Sequence, residues 1–415
     1  MKIKQLSIAG LRGFEQATFE FDPRFTLLVG INGVGKSSVL EALRVSLSRV
    51  LPKFTVSRSA PLAFASEDIR LGSASLTVDV DFDFPEGERH FLLHKPREQF
   101  VPDEEGSVRQ ATFDTPEREE LSPSQWPKAD PSGNQPIAIY FGTRRSHPTD
   151  EQIKVGRSRG GQAAAFADAL SDVRPLHLRD MASWMLAQEA LAEELPRAGS
   201  HLEALKSAAA SFLPTCTGLR AANGADKPRL LISKDGIELD VRYLSEGERG
   251  VLALALDLAR RLSQANPALD DPVKDGVGIV LIDEIDMHMH PLWQRQIVPL
   301  LTETFRKCQF IATTHSPQVI GEVPHDRIQM IKDGKVYSPE RSFGVDSSRV
   351  LEEVMDTKSR NASVEDTIAK IAKLIGSGKA EEARAAIKTL SEAIGEDDPE
   401  ITRAITLLDF MEGDE

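Results

Sequence analysis

The chain of 415 residues carries 50 Lys and Arg against 64 Asp and Glu, a net charge of −14, and 40% of its residues are hydrophobic. That length suits roughly two or three domains with a large core, and the acidic balance excludes wholesale wrapping of nucleic acid, whose affinity comes from Lys and Arg neutralising phosphates. No apolar run is long enough to span a membrane, Cys216 and Cys308 are too few for a disulfide framework or metal cluster, and the first residues enter a strand without an apolar signal core, so a soluble, cytoplasmic protein is expected.

Residues 3–9 and 16–21 alternate as paired strands around the turn Gly10-Leu11-Arg12-Gly13-Phe14. Residues 25–29 read as a short buried strand, and 37–50 as a helix with Leu40, Leu43 and Leu47 at helical spacing. Between them, Gly30-Ile31-Asn32-Gly33-Val34-Gly35-Lys36-Ser37 fits the phosphate-loop spacing G-x-x-x-x-G-K-[ST] without mismatch. Gly33 and Gly35 let the backbone curl round phosphate oxygens, Asn32 lies with them in the loop that would hold the nucleotide, and the helix N-terminus at Ser37 and Ser38 points N–H groups at the anion. Lys36 supplies a charge, and the Ser37 hydroxyl is a ligand for Mg²⁺.

Residues 76–84 alternate strictly, with 90–94 as their antiparallel partner, so the first lobe is mixed α/β with an antiparallel flank. Residues 98–135 are rich in Pro, Ser, Asp and Glu and lack periodicity, which predicts a long mobile loop, followed by a buried strand at 137–141. Arg144, Arg145, Lys154, Arg157 and Arg159 are the most basic neighbourhood, either a solvated loop or a local nucleic-acid groove. Helical periodicity at 178–195 and 201–212 indicates a compact subdomain in which no heptad pattern persists.

A hairpin is expected at 230–233 and 237–241 around Asp235-Gly236. A helix at 249–262, a strand at 277–282, a helix at 291–305 and a strand at 309–313 then alternate as in a parallel sheet covered on both faces. Residues 328–331 and 336–337 form a last hairpin, and 363–412 a helical tail opening on the capping pattern Ser363-Val364-Glu365-Asp366. The expected divisions are an N-terminal lobe at 1–150, a helical insertion at 151–225, a C-terminal lobe at 226–345 and the helical tail at 346–415.

Three further motifs carry chemistry. Ile279-Val280-Leu281-Ile282-Asp283-Glu284 is an apolar strand ending in two acids, placing Asp283 to hold Mg²⁺ through its water shell and Glu284 to polarise the attacking water. Leu244-Ser245-Glu246-Gly247-Glu248 opens a helix, where Ser245 offers a hydroxyl and free N–H groups to a γ-phosphate and Gly247 permits close approach; in isolation it is merely a helix cap. The strand at 309–314 ends in His315-Ser316-Pro317. His288 and His290 lack a carboxylate or thiolate partner for a metal and read as loop packing.

In this order the motifs resemble the ABC ATPase superfamily: Leu244 to Glu248 its LSGGQ-type signature, His315 its switch histidine, and Asp286 its cross-dimer aspartate. The glutamine loop has two candidates, Gln135 and the stretch 140–145. Leu6-Ser7-Ile8 with Leu11-Arg12-Gly13-Phe14 resembles RecF- and SMC-like ATPases, in which Arg12 would meet the nucleotide phosphates. Residues 282–294, with Thr313-Thr314-His315-Ser316-Pro317-Gln318-Val319-Ile320 and Ser342-Phe343-Gly344-Val345-Asp346-Ser347, resemble the stand-alone, PtuA-like AAA-type ATPases of bacterial Septu and retron defence systems. The resemblance implies an ABC-type P-loop head, ATP and Mg²⁺ as cofactors, and hydrolysis through Glu284 and His315. It also implies composite sites in which the phosphate loop of one subunit faces Ser245, Gly247 and Glu248 of another, hence a homodimer or higher even oligomer. An HNH-type nuclease would be the effector, with a reverse transcriptase and its RNA in a retron setting. The alternative is a RecF-like repair or recombination ATPase that binds DNA. The tail either docks a partner or packs on its own head.

Overall fold

The computed structural model describes residues 1–97, 99–102, 108–111, 117–121, 126–127, 130, 133–143, 145, 161–172, 178–224, 227–355, 357–358 and 360–413. Arg144, Lys154, Arg157 and Arg159 of the basic neighbourhood lie outside them. Two compact units are present, Met1–Val345 and Asp346–Glu415. Among the described residues no helix is long and apolar enough to cross a membrane.

The first unit begins with strands β1 (Lys2–Leu11), β2 (Phe14–Glu20) and β3 (Phe25–Val29) and helix α1 (Lys36–Phe54). Strands β4 (Ser75–Phe84), β5 (Gly87–Pro96), β6 (Gln99–Pro102), β7 (Val108–Ala111) and β8 (Arg118–Leu121) follow. A five-stranded antiparallel sheet runs in the order β2-β1-β4-β5-β8. Its alternation sends Leu76, Val78, Val80 and Phe82 to one face, where they share a core with Val39, Leu40, Leu43 and Val50 of α1. Each such buried side chain contributes about 1.5–3 kcal/mol, so the phosphate-loop helix is anchored along its length.

The loop expected at 98–135 contains β6 paired with β7, and β8 paired with the edge of β5. Arg-Glu-Glu-Leu has little intrinsic strand preference; β8 is extended because β5 offers it an unpaired backbone edge.

The remainder of the unit comprises β9 (Ile137–Phe141), α2 (Leu178–Leu191), α3 (Pro196–Phe212), β10 (Cys216–Asn223), β11 (Pro228–Lys234), β12 (Ile237–Asp240) and α4 (Glu246–Ala265). Then come α5 (Pro272–Asp275), β13 (Gly278–Ile282), α6 (Pro291–Thr304), β14 (Cys308–Thr314), α7 (Pro317–Ile320), β15 (Ile328–Lys332) and β16 (Lys335–Tyr337). The sequence reading missed β10, because a bulge between Thr217 and Arg220, with Gly218 at φ +64°, breaks its period-2 pattern.

The central sheet has the order β16-β15-β3-β14-β13-β9 and is parallel apart from the β15–β16 pair. Every residue of β3, β9, β13 and β14 is buried, as continuous apolar strands covered on both faces should be. The register sets Val29 opposite Thr314, and Ile282 opposite both Ala312 and Phe141. Gly30, Gly142, Asp283 and His315 therefore leave the sheet along one edge, where open α/β sheets collect ligands.

The second unit is a bundle of α9 (Ala362–Gly376), α10 (Ala380–Ile394) and α11 (Pro399–Gly413), preceded by the single turn α8 (Ser347–Arg349). Its core is Ile371, Ile375, Ala383, Ile387, Leu390, Ile401 and Leu408. Asn361, two residues upstream of the Ser363 pattern, caps α9 by accepting from Ser363 N–H at 3.0 Å. Asn is as good an N-cap as Ser, and the helix starts two residues earlier than the capping pattern implied.

Candidate nucleotide site

The phosphate loop joins β3 to α1, with Gly33 at φ +83° and Gly35 at φ +109°. A Cβ on Gly35 would fall 2.4 Å from the Phe14 ring, so Gly35 meets two demands at once, a left-handed backbone and contact with an aromatic side chain of the first hairpin. Lys36 Nζ donates to Gly30 O at 2.9 Å and Ile31 O at 3.1 Å and lies 2.6 Å from His315 Nε2. Burial pulls the Lys36 ammonium down to about 8, against the opposing pull of Asp283, Glu284 and Asp286. Burial, and then the Lys36 charge, also lower His315, whose neutral imidazole accepts the ammonium proton.

Asp283 lies just past β13. Ser37 Oγ donates to its Oδ2 at 3.1 Å and its Oδ1 at 3.3 Å, and Thr313 Oγ1 donates to Oδ1 at 2.7 Å. A hydroxyl facing a carboxylate is the hard oxygen donor set that suits Mg²⁺. Glu284 adopts φ +48°, uncommon for a residue with a Cβ, and its N–H donates to Thr313 Oγ1 at 2.7 Å. Asp286 accepts from Thr314 Oγ1. Arg12, also at φ +48°, pairs with Asp68 at 2.8 Å and places a guanidinium nitrogen 3.3 Å from Ser38 Oγ in the first turn of α1.

Arg145, 4% exposed, donates to Asp283 O at 2.7 Å and Glu284 O at 2.6 Å, and burial lowers its guanidinium to about 10. Gln135 lies before β9, at the opposite end of that strand from Asp283. It is buried and tied to Val56 N–H at 3.1 Å and to the carbonyls of Asp130 and Gly133. Of the two candidates for a coupling position, only the stretch 140–145 reaches the site, through Arg145.

The signature residues use their hydrogen bonds differently. Ser245 caps α4: Glu248 N–H donates to Ser245 Oγ at 3.3 Å, while Ser245 N–H and Oγ donate to Glu248 Oε2 at 2.9 and 2.8 Å. Lys234 Nζ pairs with Glu248 Oε1 at 2.6 Å. Glu248, 3% exposed, is thus turned into the protein, where its carboxylate orders the helix start. A Cβ on Gly247 would fall 2.4 Å from His288 O, so the close approach of this chain's own backbone requires glycine at that position. Among the described residues, no hydrogen bond or ion pair joins Ser245, Gly247 or Glu248 to residues 30–38. His288 Nε2 lies 3.4 Å from Glu246 and His290 Nδ1 accepts from Leu292 N–H at 3.3 Å, separate packing roles with no shared metal geometry.

Thr313 and Thr314 are site residues that sequence reasoning reads only as the end of a strand. Arg145 reads within a basic neighbourhood and the candidate stretch 140–145, with no contact to Asp283 or Glu284 assigned; the fold brings all three to the acids after β13.

Residues 25–321 match the family described as "AAA domain, putative AbiEii toxin, Type IV TA system". The chain is 27% identical over 470 residues to "Retron Ec83 probable ATPase" of Escherichia coli, across 96% of this chain and 85% of that protein. "Septu protein PtuA" of Bacillus thuringiensis is 22% identical over 372 residues, 85% of this chain and 84% of that protein. "Retron Vc95 probable ATPase" of Vibrio cholerae serotype O1 biovar El Tor is 41% identical over 149 residues, 35% of this chain and 29% of that protein.

Proposed function

We propose, for a chain that belongs to the family described as "AAA domain, putative AbiEii toxin, Type IV TA system" and is an ATPase, that two copies close around ATP and that this closure governs a partner effector in antiphage defence. The carrying observation is the division of polar groups: Lys36 bonds His315 and Ser37 bonds Asp283, whereas Ser245 and Glu248 bond each other and Glu248 pairs with Lys234. A nucleotide held by the first set leaves its γ-phosphate in want of donors, and the N-terminus of α4 from a second copy would supply them. ATP then contributes contacts to both faces of the closed state, and hydrolysis removes them.

In this reading Lys36 and the loop backbone hold the β- and γ-phosphates, with Arg12 reaching in from the first hairpin. Ser37 and Asp283 would hold Mg²⁺, which neutralises phosphate charge when bound. Glu284 takes the proton of the attacking water, His315 senses the γ-phosphate, and Asp286 faces the partner copy. Residues 1–150 and 226–345 act as the two lobes of the head, 151–225 as a helical insertion and 346–415 as a tail. The names of the Septu and retron relatives support a defence role, and an HNH-type nuclease, joined in a retron by reverse transcriptase and RNA, is the effector class it would take.

Light scattering on a sizing column tests the reading. Glu284→Gln with ATP and Mg²⁺ should run as a dimer and the same protein without nucleotide as a monomer; a monomer that holds ATP, from a chain whose wild type turns over, would overturn it.

A further inference from the structure

The backbone of Glu284 is gripped from both sides. Its N–H donates to Thr313 Oγ1 at 2.7 Å, and its carbonyl accepts from Arg145 at 2.6 Å. Thr313 comes from β14 and Arg145 from the chain just beyond β9, the two strands that flank β13. The gripped residue is the one at φ +48°, a conformation that persists in a glutamate only where the surroundings over-determine it. Arg145 is also bound to the carbonyls on either side, Asp283 at 2.7 Å and Ile285 at 3.4 Å. Among the described residues no carboxylate lies within ion-pair distance of this buried guanidinium. Its charge is offset instead by converging carbonyls and by the field of Asp286, Asp283 and Glu284.

We infer that Arg145 is a positioning residue for hydrolysis: with Thr313 it clamps the Glu284 peptide in its left-handed conformation and so aims the carboxylate at the attacking water. This rests on Glu284 being the base. The guanidinium suits the task because its planar fork donates to two successive carbonyls at once, which a lysine ammonium on a flexible stem does less rigidly. Arg145 makes no described hydrogen bond to Lys36 or Ser37, so its half of the clamp acts on turnover and not on nucleotide binding, whereas Thr313 Oγ1 also donates to the Asp283 carboxylate at 2.7 Å. Arg145 belongs to the stretch 140–145, one of the two candidates for the coupling position, and it reaches Asp283 and Glu284 whereas Gln135 lies at the other end of β9.

Steady-state ATPase and fluorescent-nucleotide binding on Arg145→Lys, Arg145→Gln and Thr313→Val, alone and combined with Glu284→Gln, test the inference. Each single clamp variant should lose on the order of 10- to 100-fold in kcat, as a misaimed base does. Nucleotide affinity should stay within about twofold in the Arg145 variants, and in Thr313→Val when measured without Mg²⁺, because Thr313 Oγ1 also donates to the Asp283 carboxylate. Added to Glu284→Gln, each should cost nothing more, because the groups act as a unit. Thr313→Val also serves if an Arg145 variant does not fold, since it opens the other jaw and leaves the buried charge paired with its carbonyls. Clamp variants that turn over like wild type, that lose binding and turnover in equal measure, or that add their full loss to Glu284→Gln would overturn the clamp. A Glu284→Gln protein with unchanged turnover would instead sink the assignment of the base itself.

Discussion

The phosphate-loop half and the signature half of this head are both helix N-termini with a glycine at or beside the helix start, Gly35 and Gly247, yet they use their polar groups in opposite ways. At the phosphate loop Lys36 leans on Gly30 O, Ile31 O and His315, and Ser37 on Asp283, so the groups that would meet nucleotide hold one another. At the signature, Ser245 and Glu248 complete a capping box that Lys234 locks from β11. The first arrangement is a closed set that an anion must open, because Lys36 exchanges neutral acceptors for phosphate oxygens. The second is a rigid helix start that gains nothing from nucleotide within its own chain. On the proposed reading one half binds nucleotide and the other is presented to a second copy.

The largest test of this contrast is Glu284→Gln, expected to lower turnover on the order of 10²- to 10⁴-fold while ATP stays bound, read by phosphate release against nucleotide retention. Lys36→Ala should weaken nucleotide binding on the order of 10- to 100-fold, the worth of a charge-assisted phosphate contact, and abolish ATP-driven association with it. Association that survives loss of binding would break the comparison.

A pH titration sharpens it further. In the free protein Lys36 sits at about 8, below its ordinary 10.5, so above pH 8 the folded chain gives up a proton that the unfolded chain keeps. The folded state therefore gains stability as pH rises from about 8 to 10.5. Phosphates favour the charged ammonium, so nucleotide binding takes up that proton, and affinity should fall by up to about tenfold per pH unit over the same range. Calorimetry in buffers of different ionisation heat reads the proton uptake; binding flat across this range would contradict the role of Lys36.

The smallest effect belongs to the presented half. Ser245→Ala removes a cap worth about 1 kcal/mol of stability, and it should leave the nucleotide affinity of dilute subunits within about twofold. Turnover at concentrations that favour association should nevertheless drop. A matching loss of affinity in dilute protein would mean that Ser245 serves its own chain's nucleotide.

Wherever period and spacing are local, the sequence could be read directly. The phosphate loop, the buried strands at 25–29, 137–141 and 277–282, the alternation of β4 and the two acids after β13 are visible because each imposes its pattern within a few residues. β8 and β10 were not, since one is extended only by the edge of β5 and the other is broken by a bulge at Gly218. Glu248 and Gly247 were legible as a motif but not in their orientation. Only the fold shows that the carboxylate turns to Lys234 and that the glycine makes room for His288 O.

What the sequence by itself determined is thus the chemistry of the chain: a phosphate cradle, an acid pair and a histidine in an order that belongs to an ATPase. What only the tertiary structure decided is which groups meet. Parallel register put Thr313 and Arg145 on either side of Glu284, and it sent Gln135 to the far end of β9. The reason is physical: a motif is written in consecutive residues, whereas a clamp is made by neighbours across a sheet, whose separation along the chain carries no local pattern to read.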